Sequence, residues 1–334
     1  MSVLVTGGAG YIGSHMVWKL LDAGYSVVVL DRLSTGFEWA IAQAARFYRG
    51  DIADRELLRS IFANHNVHAV IHFAGSVVVP ESVRDPLGYY ENNTAKSREL
   101  IAAAVEAGIK QFVFSSTAAV YGTPETTKPV RETDRVSPES PYGYSKLMTE
   151  QMLRDAAAAH DFTYTTLRYF NVAGADPLGR TGQSTRGATH LMKVACEAAL
   201  GKRSGVDVFG TDYATVDGTC VRDYIHVSDL VAAHLNALER MAAGGQSITA
   251  NCGYGHGYSV LQVLDRLRTL VTSDFAVRYG PRRSGDAVEV VADATIARRE
   301  LQWKPQYDDL SVILRSALDW EARLDKHLAN VASA

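Results

Sequence analysis

Short apolar runs alternate with helix-length segments along the first half of this chain, and that rhythm restricts its fold more than any single residue does. Val3 to Thr6, Ser26 to Asp31, Arg46 to Arg49, Ala69 to Ala74, Gln111 to Ser116 and Tyr164 to Tyr169 are short, mostly β-branched or aromatic, and bounded by glycine or polar residues. Runs of this kind are strands buried on both faces. Between them, Ile12 to Ala23, Arg55 to Asn64 and Tyr89 to Ala107 have helical length and composition. The alternation predicts a parallel sheet covered by helices on both sides, a doubly wound α/β architecture. It stops after Phe170, where Ala173 to Gly187 is rich in Gly, Asp, Ser, Thr and Arg and has no sustained period, which reads as a boundary or a ligand loop. Beyond it a helix at Thr189 to Leu200, strands at Val206 to Phe209 and Val221 to Val227, and helices at Ser228 to Met241 and Ser259 to Leu270 predict a smaller C-terminal α/β domain. We therefore expect one domain over 1–172 and a second over 173–334, with segments of the second able to cross back into the first.

Composition narrows the partners. A net charge of −3 and a pI near 6.4 create no field that would gather nucleic acid or an anionic membrane. A small molecule is the expected partner. The three cysteines, Cys196, Cys220 and Cys252, lack the paired short spacing of a zinc site, so no metal is expected and buried free thiols are the simpler reading. No stretch approaches the roughly 18 consecutive apolar residues of a membrane span. Met1 runs directly into an apolar segment ended by Thr6-Gly7-Gly8, without a basic lead or a cleavage site, and this predicts a cytoplasmic protein.

Between the first strand and the first helix stands Gly7-Gly8-Ala9-Gly10-Tyr11-Ile12-Gly13. Glycines at this spacing allow a tight turn, a close backbone approach to a pyrophosphate at the helix N-terminus, and close helix–strand packing. Alone the motif is equally compatible with a purely structural turn. The second strand, however, ends at Asp31, where a carboxylate would accept hydrogen bonds from both ribose hydroxyls of an adenosine. Together these features predict a Rossmann-like dinucleotide site. Asp31 would repel a 2′-phosphate and so favours NAD over NADP; Arg32 beside it argues the other way, because a guanidinium could pair with that phosphate.

Tyr142-Gly143-Tyr144-Ser145-Lys146 follows Pro141 at the start of a long helix, and the spacing of four puts Tyr142 and Lys146 on one face. An ammonium beside the phenol would lower its pKa toward neutrality and make Tyr142 a general base and acid. Ser115-Ser116-Thr117 runs out of the fifth strand at the carboxyl edge of the sheet, where ligands of open α/β folds collect. Thr117 there either relays a proton between a substrate oxygen and Tyr142 or merely ends a strand.

Further landmarks are Gly50-Asp51-Ile52, His72-Phe73-Ala74-Gly75, Glu91-Asn92-Asn93, Phe114-Ser115-Ser116-Thr117, Arg168-Tyr169-Phe170-Asn171 and the segment Gly218 to Val227. With these the chain resembles, over almost its whole length, the extended short-chain dehydrogenase/reductase superfamily and within it the UDP-glucose/UDP-galactose 4-epimerase family. The resemblance implies one tightly bound NAD per subunit, contacted by Gly7, Gly10, Tyr11, Ile12, Gly13, Asp31, Asp51, Ile52, Phe73, Ala74, Gly75, Asn92, Ser115, Tyr142, Lys146, Tyr169 and Phe170. It implies a UDP-sugar site at Thr117, Asn171, His190, Leu191, Val208, Phe209, Arg222, Tyr224, Val260, Arg283, Asp286 and Val290, with Arg222-Asp223-Tyr224 and Arg283-Ser284-Gly285-Asp286 as the nucleotide clamp. The reaction it implies interconverts UDP-galactose and UDP-glucose through a transient 4-keto sugar, in a homodimer joined through the helices of Tyr89 to Ala107 and Tyr142 to Ala159.

Three positions depart from the family pattern. Val77 stands where several relatives have a lysine, His190 replaces a common asparagine, and Val290 is small where some relatives have tyrosine, which leaves room for an N-acetyl group. A UDP-pentose or UDP-uronate 4-epimerase is the alternative. A nucleotide-sugar 4,6-dehydratase needs an added acid and base for elimination; the superfamily's dehydratases carry Asp-Glu directly after the threonine, where this chain has Ala118-Ala119. A simple NAD(P)-dependent reductase leaves the half after Asn171 unused, and a non-catalytic sensor leaves Thr117, Tyr142 and Lys146 without a task.

Overall fold

The computed structural model of the chain describes residues 1–283 and 286–332. Successive side chains of strand β1 (Ser2–Thr6) point to opposite faces, and both faces are covered. Val3 and Val5 meet Met16, Val17 and Leu20 of helix α1 (Tyr11–Asp22) in one core. Leu4 meets Leu58 and Ile61 of α2 (Arg55–His65) in another. Each such side chain removed from water contributes about 1.5–3 kcal/mol before the entropy of ordering is counted. The same double burial extends to β2 (Ser26–Asp31), β4 (Val67–His72), β5 (Gln111–Ser115) and β6 (Thr163–Tyr169), while at the edge strand β3 (Arg46–Arg49) only Phe47 and Tyr48 are half-buried, one against each core.

Helices α3 (Val79–Arg84) and α4 (Pro86–Tyr89) lead into α5 (Lys96–Glu106), and α6 (Pro141–Ala159) follows β5. The single helix expected from Tyr89 to Ala107 is interrupted by a wide π-type turn over Tyr90–Ala95. Side-chain bonding explains the interruption. Asn93 accepts from the Ser76 amide at 2.7 Å and donates to the Ser76 carbonyl at 2.9 Å, while Asn92 donates to the Ser76 hydroxyl at 2.9 Å. Both asparagines are held toward the segment after β4, and the extra residue in the turn allows it. Helix α6 starts where its residues dictate: Ser140 caps it by accepting from the Gly143 amide at 3.2 Å, and Pro141 occupies the first turn.

In the second half β7 (Asn171–Ala173), β8 (Val206–Phe209), β9 (Val221–Arg222), β10 (Tyr224–His226), β11 (Ile248–Cys252), β12 (Tyr258–Ser259), β13 (Val277–Gly280) and β14 (Glu289–Val290) alternate with α7 (Leu191–Ala199), α8 (Val227–Ala242), α9 (Val260–Arg268), α10 (Thr295–Glu300) and α11 (Leu310–Ala332). β11 crosses back and pairs in parallel with β6, giving a seven-stranded sheet in the order β11-β6-β5-β4-β1-β2-β3. Helix α8 also crosses back, with Leu230, Val231 and Leu238 packing into the same core as Met16 and Leu20. The small sheets are β7 with β10, β8 with β13, and β12-β9-β14.

The single strand expected from Val221 to Val227 is broken at Asp223. Its carboxylate is buried and accepts from the amides of Tyr254 at 2.9 Å, Gly255 at 3.0 Å and Ala292 at 3.2 Å, so the residue turns inward. Among the described residues no helix is long and apolar enough to cross a membrane.

The strand order reverses between β1 and β4, and the two loops leaving their carboxyl ends touch. A side chain on Gly7 would stand 2.6 Å from the Ala74 nitrogen, and one on Gly13 would collide with the Gly7 carbonyl oxygen, whereas at Gly10 nothing lies nearer than 3.3 Å. Gly13→Ala is therefore expected to destabilise the protein by about 1–3 kcal/mol, read as a lower urea midpoint, and Gly10→Ala to cost clearly less.

Candidate active site

The glycine loop at the switch point forms a cradle for an anion. Gly7 has a φ of +71°, which a side chain would strain. Helix α1 begins at Gly10 with no side-chain cap and no acidic residue in its first turn, so its leading amides and dipole are open to a negative group. At the end of β2, Asp31 accepts from the amides of Ala9 at 3.0 Å and Leu33 at 2.7 Å, and its carboxylate is only partly buried. Arg32 turns to Asp51 at 3.4 Å. That position pairs the guanidinium with Asp51 rather than with Asp31. The residues present fit an adenine dinucleotide without a 2′-phosphate.

Asp51 lies next along this edge. Burial alone would raise its carboxyl, but the Lys96 ammonium at 2.6 Å, the Ala53 amide and Arg32 hold it below the usual range. Ile52 beside it is buried. On the other side of the switch point, Phe73 packs against His234 with ring centres 4.8 Å apart. Ala74 abuts Gly7, and a side chain on Gly75 would come 3.0 Å from the Asn93 oxygen and 3.7 Å from the Lys146 nitrogen. Tyr11 and Ile12 open α1, and the Tyr11 hydroxyl donates to the Gly174 carbonyl at 2.6 Å, joining the glycine loop to the second half.

Thr117, Tyr142 and Lys146 are brought together and buried. Thr117 Oγ1 accepts from the Ala119 amide at 3.1 Å and so caps the short turn Ala118–Val120. Its proton stays available for the Tyr142 oxygen, whose ionised form the Thr117 hydroxyl favours. Lys146 Nζ donates to the Ser115 carbonyl at 3.1 Å and sits 4.9 Å from the centre of the Phe114 ring. Burial pushes the lysine down to about 8, opposed by the Glu150 carboxylate one helical turn away. His72, whose Nδ1 lies 2.7 Å from the Thr6 hydroxyl and Nε2 2.9 Å from that of Ser97, is driven to about 3 by burial and by the Lys146 charge, and is neutral.

One sequence expectation needs correcting here. Tyr142 was expected to have its pKa lowered by Lys146. Burial drives the phenol well above its ordinary value, the Tyr169 phenol adds to the rise, and the Thr117 hydroxyl pulls it back. Lys146 bonds Ser115 instead. Neighbouring Tyr169 is likewise raised by burial and eased by the Ser115 hydroxyl, and Phe170 is buried beside Val290, Val120 and Tyr121.

The second half carries two guanidinium groups on one carboxylate. Arg222 donates to the carbonyls of Val221 at 2.8 Å and Ala287 at 2.9 Å and lies 3.6 Å from Asp286, and Arg283 donates to the other Asp286 oxygen at 2.9 Å. The Arg283 guanidinium also covers Phe209, 4.6 Å from its ring centre. Ser284 and Gly285 of the expected clamp lie outside the described residues. Asn171 is exposed, and its amide donates to the Asp223 carbonyl at 2.9 Å. His190 is reached by solvent yet crowded enough that burial lowers its imidazole; Leu191 and Val260 each open a helix and are half-buried. Val208 and Tyr224 belong to the main core, the Tyr224 phenol being raised by burial and drawn back by Arg222. Val290 pairs with Arg222 in parallel register and packs with Ala118 and Phe170, which sets it between the clamp and the turn carrying Thr117.

A family model described as "NAD dependent epimerase/dehydratase family" matches residues 3–253. The chain belongs to that family. It is 54% identical over 331 residues to a UDP-glucose 4-epimerase of Azospirillum brasilense, covering 99% of this chain and 95% of that one. A crystal structure of the UDP-glucose 4-epimerase of Stenotrophomonas maltophila with bound NAD and formylated UDP-arabinopyranose superposes with a TM-score of 0.94 at 40% identity, covering 98% and 99% of the two chains. For the Bifidobacterium longum enzyme in complex with NAD+ and UDP the values are 0.91, 37%, 97% and 98%. The α/β fold with its Rossmann-like parallel sheet is the fold of this epimerase family.

Sequence reasoning gave Asn93 only as part of a landmark, without its role in holding Ser76, and missed Glu150 and the inward role of Asp223. A carboxylate one helical turn beyond Lys146, on the same face as a residue expected to be buried, was the available signal for Glu150. Because burial raises the phenol, Tyr142 is expected to stay protonated throughout neutral pH in the cofactor-free chain. A titration of the ultraviolet phenolate band, with Tyr142→Phe as reference, checks this: ionisation of one additional tyrosine near neutrality is the opposing result.

Proposed function

We propose that this chain is an NAD-dependent UDP-sugar 4-epimerase that interconverts UDP-galactose and UDP-glucose. The observation that carries the reading is the placing of Thr117, Tyr142 and Lys146 beside the Gly75 edge of the dinucleotide cradle, with the clamp of Arg222, Arg283 and Asp286 tied to the Thr117 turn through Val290. Gly7, Gly10, Gly13, Asp31, Asp51 and Lys146 would hold NAD, which when bound supplies a hydride acceptor and donor for C4 of the sugar. Tyr142 takes and returns the 4-hydroxyl proton, with Thr117 relaying it. The rise of the phenol by burial means that its ionisation needs positive charge nearby, and Lys146 is the lysine within the site. Arg222 and Arg283 suit a diphosphate through forked hydrogen bonds, and Asp286 suits ribose hydroxyls. Inversion requires the sugar to turn over while the nucleotide stays, so the charged clamp grips the handle and the apolar group around Val290 leaves the sugar loosely held.

The small Val290 beside Ala118 supports acceptance of N-acetylated UDP-hexosamines as well. We place the protein in the cytoplasm and propose that it pairs with a second copy. Leu87, 77% exposed, together with Val83, Tyr144 and Met148, forms an apolar surface over α3, α4 and α6 that suits a helix-to-helix dimer contact.

Proton NMR of the purified protein with UDP-galactose and no added cofactor tests the reaction. UDP-glucose signals are expected, and UDP-N-acetylgalactosamine should convert too. No conversion even with added NAD would eliminate galactose as the substrate and direct attention to UDP-pentoses and UDP-uronates. Tyr142→Phe is expected to slow the reaction by about 10²- to 10⁴-fold. Light scattering should give the mass of a dimer, and Leu87→Asp a shift toward monomer; a monomeric parent protein at micromolar concentration would eliminate the pairing.

A further inference from the structure

Behind the reacting groups lies an ion pair that the proposed reaction does not use. Glu150 and Arg168 are 1% and 4% exposed, and the guanidinium forks onto the carboxylate with Nε at 3.0 Å and Nη2 at 2.5 Å. Ser116 donates to the same carboxylate at 2.5 Å. Arg168 Nη1 donates to the Tyr121 hydroxyl at 3.0 Å, and that hydroxyl donates to the Asn251 oxygen at 2.7 Å. Asn251 in turn is held by Glu132 and by the Val130 carbonyl. Ser116 precedes Thr117 and Tyr121 ends the turn that Thr117 caps. The two partners of the pair therefore pin the Thr117 turn at both of its ends.

A buried ion pair of this kind adds little stability over two apolar side chains of similar volume, because desolvation offsets the attraction. Its placement points elsewhere. The groups around Lys146 are Glu150 one turn further along α6 and Tyr142 one turn back, neutral His72 on β4, the Ser115 carbonyl and the Phe114 ring on β5, and the neutral Asn93 amide on the wide turn. Glu150 is the anionic member of that set.

We propose that the Glu150–Arg168 pair is the positioning element of the reaction site: it fixes the Thr117 turn through Ser116 and Tyr121, while Glu150, one helical turn beyond Lys146 on α6, faces that ammonium as its counter-charge. The proposal rests on the reading of Thr117, Tyr142 and Lys146 as the reacting groups. Removing the Glu150 charge leaves burial unopposed at Lys146, so the lysine loses its proton at lower pH.

The test is kcat and KM for UDP-galactose across pH, in NAD-loaded protein. Glu150→Gln is expected to lower kcat about tenfold at mildly alkaline pH, to move the alkaline fall of kcat toward neutrality, and to leave KM within about twofold, since Arg222 and Arg283 are untouched. The double variant Glu150→Met with Arg168→Met leaves no unpaired buried charge and is expected to fold, retain NAD and show the limb displaced in the same direction but by less, because the Arg168 charge is removed as well. Ser116→Ala keeps the pair and should lower kcat without displacing the limb. A parental pH profile in either Glu150 variant overturns the counter-charge, and an unchanged kcat in Ser116→Ala overturns the positioning. Tyr142→Phe is run alongside: activity there would remove the underlying site assignment, a result separable from any outcome at Glu150.

Discussion

The site depends on how closely backbone approaches backbone where β1 and β4 end. Gly7, Gly13 and Ala74 are packed so that no side chain fits between them, and this contact sets the start of α1 relative to the end of β4. Asp31, Gly75 and the wide turn carrying Asn92 and Asn93 take their positions from it. The helix dipole, the open amides and the partly buried carboxylate follow as consequences of one tight junction.

A second junction organises the other half. Asp223 stands between Arg222 and Tyr224 in sequence, yet its carboxylate faces inward and gathers three amides from the Tyr254–Gly255 turn and from Ala292. Burial raises its carboxyl and those hydrogen bonds work against the rise. Arg222 is thereby presented beside Val290 and Asp286. The residue in the middle of the clamp is a fastening for the residues on either side of it.

Much of the fold was legible because buried parallel strands are nearly continuous apolar runs, and these do not depend on distant partners. β2 and β8 coincide with the runs read from sequence, α1 and α6 begin close to where the glycine and proline signals place them, and α2 begins at Arg55 as read. Elements whose course is set by long-range side-chain bonds were less legible. The break at Asp223 comes from residues about 30 and 70 positions away in the chain, and the wide turn at Tyr90–Ala95 from the Asn93 bonds to Ser76. In the site, spacing alone placed Tyr142 and Lys146 on one face. The direction of the phenol's shift was not legible, since it depends on how completely the pocket excludes water.

The return of β11 to the main sheet has a bearing on how the chain is made. Synthesis delivers β1 to β6 first, and at that stage β6 presents a bare row of amides and carbonyls along its outer side. Ile248 to Cys252 cover that row only after most of the polypeptide has left the ribosome. During elongation the nascent sheet is an open template for other extended segments, and its hydrophobic face awaits α8. Completion of the sheet is thus a late event, and a chain truncated before Cys252 would carry its adhesive edge permanently.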